Sequence, residues 1–123
     1  MSVQLAHLYA LLSLGVIFFQ IALIAGAPWG AATQGGAHRG ALPLKGRLMA
    51  ALSIPIVGFM GLSVLSAAGF PGLDWPRWTG WVALGVQAMT VILNWITPSR
   101  IERQIWGPVT TIMMALAGYV ILT

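Results

Sequence analysis

The sequence predicts an all-α integral membrane bundle of four transmembrane helices, with both termini on the non-cytoplasmic side. Three observations carry this expectation. The 123 residues are 59% hydrophobic and 7% charged, with a mean hydropathy of +0.89. A soluble domain carries about 25% charged residues, and six Lys/Arg with two Asp/Glu cannot cover a water-facing surface of this length, so lipid must be the solvent for most of the chain. Four apolar stretches of about twenty residues, the length that spans hydrocarbon, alternate with connections marked by Gly, Pro and Trp. Finally, the basic residues crowd onto alternate connections. One domain over residues 1–123 accommodates all four spans.

The first span covers roughly 3–25, interrupted only by Gln4, His7, Ser13 and Gln20. No Lys or Arg precedes Arg39, so the positive n-region of a signal peptide is missing, and the stretch reads as a retained helix. It should stop near Gly26, before Pro28. The connection over 27–45 is long for a helix pair. Its Ala, Trp and Leu content suggests that it folds back over the end of the bundle. The second span covers 46–69. Pro55 removes a backbone donor there and frees the Ala51 carbonyl. Ile54, Gly58, Gly61, Leu65 and Ala68 make a seam for close helix packing.

A short connection over 71–77 makes the second and third helices antiparallel neighbours, and Asp74 and Arg77 are spaced to pair. The third span, 79–97, has a polar stripe: Gly80, Ala83, Gln87, Thr90, Asn94 and Thr97 recur at steps of three and four, which return to one helical face. Ser99 with Glu102 fits a capping box ahead of a fourth span over 107–123. Pro108 suits that helix's first turn, and Thr111, Ala115 and Gly118 form its small-residue face.

Charge orients the bundle. Arg39, Lys45, Arg47, Arg100 and Arg103 fall on the first and third connections, and Arg77 alone falls on the opposite side. Five against one predicts cytoplasmic first and third connections. The net charge of +4 is then a topology signal, and no nucleic-acid partner is expected. Trp29, Trp95 and Trp106 mark one interface, and Trp75, Trp78 and Trp81 the other.

All four helices offer polar groups toward the cytoplasmic end, so a ligand-binding site is expected among Gln20, Gln87, Thr90, Asn94 and Thr111, bordered by Arg100, Glu102 and Arg103. The competing expectation is that these groups bond one another, at about 0.6 kcal/mol each in membrane bundles. Arg100 and Arg103 could meet a lipid phosphate or simply snorkel. No acidic residue lies in a span, which disfavours a carboxylate proton relay. The two histidines, His7 and His38, fall at opposite ends, so no haem or metal site is expected. The chain has no cysteine, which removes disulfide and thiolate chemistry. No cofactor and no catalytic residue is predicted, and no nucleophile motif of hydrolases precedes a helix.

Two groups of residues resemble a known family. Gly26, Ala27, Pro28, Gly30, Leu42, Pro43 and Arg47 surround the first connection, and Asn94, Thr97, Ser99, Arg100, Glu102 and Arg103 surround the third. They are similar to motifs of a family of small, uncharacterised four-helix bacterial membrane proteins. The resemblance implies a multi-pass protein of the bacterial inner membrane, distinctive in its two cytoplasmic connections, and carries no activity. A contact of Arg47 or Arg39 with Glu102 is expected between those connections. The leading functional expectation is a non-enzymatic protein that binds or passes a small polar ligand or lipid head group through a cytoplasmic-side cavity. Its expected partners are the bilayer, anionic lipid, and further copies of itself or another membrane protein. The alternative is an accessory subunit of a larger membrane complex; an enzyme acting on lipid comes third.

Overall fold

The computed structural model describes residues 1–123. Four α-helices run in order: α1 (Ser2–Ile24), α2 (Leu44–Ala67), α3 (Arg77–Ile96) and α4 (Arg100–Leu122). Each is long and apolar enough to cross a membrane. At 1.5 Å per residue, helices of 20–24 residues reach about 30–36 Å, the thickness of a hydrocarbon core or slightly more. Neighbours in sequence pack side by side, and α4 returns to α1 to close a four-membered ring. Only 26 of 123 residues are buried. The exterior is therefore apolar: Leu11, Phe18, Leu52, Ile92 and Ile96 all face outward, an arrangement that water would not tolerate.

The helices begin and end by local chemistry. At the end of α1, Gly26 adopts φ 102°. Its N–H donates to the Leu23 carbonyl, and the Ala27 N–H to the Ala22 carbonyl. These are the two bonds of a Schellman motif, which only a residue free to go left-handed closes cheaply. α2 ends in the same way two residues earlier than the sequence suggests, with Gly69 donating to Ser66 and Phe70 to Leu65. Pro71 and Gly72 are not needed to stop it. The fourth helix starts at Arg100, about two turns before the expected start. Ser99 caps it, and the helix continues through Pro108, which lies inside it and leaves the Gln104 carbonyl without its helical donor.

Three arginines tie down helix C-termini. Arg47 donates to the Ile24 and Leu42 carbonyls, Arg103 to the Thr97 carbonyl at 2.8 Å, and Arg77 to the Ile121 carbonyl at 3.1 Å. Each cation thus meets the negative end of α1, α3 or α4. Arg47 accordingly caps α1 where the sequence suggested a contact with Glu102, and Arg77 turns to α4 where it suggested Asp74. His7 meets the Phe70 ring edge-on at 5.5 Å.

The two halves of the bundle differ in packing. Toward the chain termini, Ala6, Tyr9, Met60, Val64, Ala83, Met113, Ala117, Val120 and Ile121 form a continuous core. Small residues let the helices close up: Gly61 faces Ser13 of α1, and Gly80 faces Ile121 and Ala67. Gly58, in the same seam as Gly61, is left open. On α4 the inward face is Gly107, Thr110, Met113 and Ala117; Thr111 and Ala115 face outward. Toward the first and third connections the four helices do not close on one another, and a cavity separates them.

Candidate functional site

The cavity encloses about 560 Å³, the size of a small-molecule pocket. Its floor is the edge of the packed core. There Gln87, 1% exposed, spans the bundle. Its amide oxygen accepts from the Tyr9 hydroxyl of α1 at 2.8 Å, and its amide nitrogen donates to the Thr110 carbonyl of α4 at 3.0 Å. The Ser13 hydroxyl returns to the Tyr9 carbonyl, and Thr110 donates to the Trp106 carbonyl. Every side-chain nitrogen or oxygen sealed off from both the cavity and the exterior has a partner. Gln87 is thus a structural tie as well as part of the cavity floor.

Above this floor the walls are mostly apolar. Val16 and Phe19 of α1, Val57 and Met60 of α2, Leu93 and Ile96 of α3, and Trp106 and Met113 of α4 line it. Phe19 stacks against Trp29 at 6.0 Å and meets Trp106 edge-on at 4.8 Å. Polar groups are interspersed: Gln20, Thr90, Asn94 and Thr97. Thr90 and Asn94 each bond one turn back, to Val86 and Thr90 carbonyls, which leaves the Asn94 amide oxygen available.

The roof is the first connection. It folds back as two short 3₁₀ turns, Gly30–Ala32 and Gln34–Gly36, with Ala32, Thr33 and Leu42 buried. Leu42 joins Leu23 and Ala50 in a second small core. The Gln34 side chain donates to the Gly46 carbonyl at 2.8 Å and, with Gly35, forms the cavity's upper edge. Gly36 presses against the start of α4: a Cβ there would lie 2.9 Å from Ser99 Cβ. The Ser99 hydroxyl donates to the Ala31 carbonyl, so the two connections lock together.

The start of α4 also sets the fate of Glu102. In a full capping box the Glu side chain reaches back to the N-cap N–H. Here the Ser99 N–H donates to the Thr97 hydroxyl instead, at 3.2 Å, and only the Ser99-to-Glu102 half forms. The Glu102 side chain turns inward, is 8% exposed, lines the cavity, and has no hydrogen-bond donor within the chain.

Of the residues singled out in the sequence, Gln20, Gln87, Thr90, Asn94 and Glu102 are brought together at this cavity. Thr111, Arg100 and Arg103 are not among its lining residues. Thr111 lies one residue, or 100°, around α4 from the lining Thr110, is exposed, and accepts from the Trp95 indole at 2.8 Å. Arg103 is committed to Thr97, and Arg100 is exposed. Tyr9, Phe19 and Trp106 were missed as site residues by sequence reasoning. For Tyr9 a signal existed, since a phenol inside an apolar span needs a partner for its hydroxyl.

No protein-family model matches the chain, and neither a curated protein nor a solved structure is similar to it.

Proposed function

We propose that this is a non-enzymatic, multi-pass protein of a bacterial inner membrane that binds a small ligand in the cavity between its helices, to hold it or pass it on. The first and third connections, with Arg39, Lys45, Arg47, Arg100 and Arg103 on them, face the cytoplasm in this reading, and both termini face the other side. The observation that carries it is the cavity itself. A bundle held only by polar ties closes on them, as this one does around Gln87. Beyond Gln87 about 560 Å³ stays open under a roof built for the purpose, with an acid and several amides on its walls. The second reading, an accessory subunit, draws on a shallow apolar groove between α1 and α2 along Leu14, Ile17, Gly58 and Leu62.

Native mass spectrometry of the protein released from lipid nanodiscs tests the first reading. A bound small molecule on the wild type, lost in Thr90→Trp, whose indole would obstruct the cavity, is the expected result. A bare chain from every preparation, recovered stably only with another membrane protein, would reject it in favour of the subunit reading.

A further inference from the structure

The chain has two acidic residues, and they are placed very differently. Asp74 lies exposed on the short connection between α2 and α3. Glu102 is more than nine-tenths buried, lines the cavity and has no partner. Its carboxylate opens onto the cavity, where an acid without a donor or a cation is poorly satisfied. Arg103, its neighbour in sequence, is spent on the Thr97 carbonyl, and Arg47 on those of Leu42 and Ile24. The one local donor that a capping box supplies, the Ser99 N–H, has been taken by Thr97. Glu102 thus has neither the capping-box donor nor an ion-pair partner within the chain.

Aromatic side chains share the cavity with Glu102. Trp106 lies four residues on, one turn along the same face of α4, and its ring meets Phe19 at 4.8 Å. A carboxylate beside π faces suits an organic cation, whose charge meets the acid while its bulk lies on the rings. The remaining walls accept an apolar body, and the cavity runs out to Leu93 and Ile96, which are 56% and 69% exposed on the outer side of α3. A bare metal ion would find one carboxylate and a largely hydrocarbon lining, which is poor coordination.

We propose that the ligand is an organic cation, an alkylammonium group on a compact apolar body, with Glu102 as its counter-ion and Trp106 and Phe19 as its aromatic seat. This rests on the cavity being a ligand site and names the class of ligand.

The test uses purified protein in detergent, with tryptophan fluorescence as readout and two probes of the same shape: benzyltrimethylammonium and its uncharged isostere neopentylbenzene. The wild type is expected to bind the cation at least about tenfold more tightly than the neutral probe, the scale of a desolvated cation–π contact with an added ion pair. Glu102→Gln should erase that preference while the neutral probe still binds, and Glu102→Asp should retain it. Trp106→Leu should weaken the cation more than the neutral probe, so the conclusion does not hang on one variant. Equal binding of the two probes to the wild type would overturn the cation assignment and leave the cavity as a ligand site. Binding of neither would overturn both. Repeating the titration in nanodiscs separates two sources of the ammonium group. Competition by phosphatidylethanolamine but not phosphatidylglycerol makes it a lipid head group; unchanged affinity in both makes it a free solute.

Discussion

At the scale of single residues, the Tyr9–Gln87–Thr110 chain is where polarity is spent on holding helices together. Gln87 serves two helices through one amide, and Tyr9 is fully buried. Removing one end of such a chain costs more than removing both, because a buried hydroxyl left without an acceptor retains its desolvation cost. Gln87→Leu is expected to destabilise the protein by about 1–2 kcal/mol, toward the upper end for hydrogen bonds in membrane bundles. Tyr9→Phe should be costly in the wild type yet neutral or stabilising in the Gln87→Leu background. Reversible unfolding in mixed micelles gives all four corners of this double-mutant cycle. Strict additivity would mean that the bond contributes nothing across the α1–α3 diagonal.

At the scale of elements, the first connection behaves as a folded cap whose seat is the start of α4. Its contact is tight at Gly36, where φ is 72° and a Cβ would meet Ser99 at 2.9 Å. Gly36→Ala therefore adds left-handed strain of about 1 kcal/mol to a steric conflict. It should release the cap, seen as faster hydrogen exchange at residues 30–36 and easier proteolysis within 27–43. Gly40→Ala is the control, since nothing lies within 4 Å of its added Cβ and its φ is ordinary. If both variants exchange alike, the cap is not seated through Gly36. The cap also bears on the site: Gln34 and Gly35 border the cavity, so lifting the cap opens the cavity at that edge.

At the scale of the whole molecule, the bundle has one half packed and one half open, and the sequence speaks unevenly about the two. The spans were legible because hydropathy over some twenty residues is a strong signal. The α3 stripe was legible because its polar residues recur at helical steps among apolar ones. Phe19 and Trp106 were not, because an aromatic side chain in an apolar span reads the same toward lipid as toward a cavity. Thr110 and Thr111 are adjacent and alike, and only the packing of α4 tells which faces in. Glu102 was read both as half of a capping box, which its spacing from Ser99 allows, and as a border of the site; that Thr97 takes the competing donor is a three-dimensional fact. The same asymmetry makes opposite outcomes of one kind of substitution on one helix. Ala83 on α3 is fully buried in the packed half. Ala83→Leu must overpack it and should cost about 1–3 kcal/mol. Thr90, two turns on, borders the open half. Thr90→Leu adds methyl groups to vacant space at the expense of one local bond to Val86, and should leave stability unchanged or raised, by up to about 1 kcal/mol per methylene buried. It should also reduce binding of any probe that enters the cavity. Thermal unfolding of the two variants in one detergent, followed by titration of Thr90→Leu, measures both effects. Equal destabilisation of both would mean that the open half is packed in solution, and with it the ligand reading would fall.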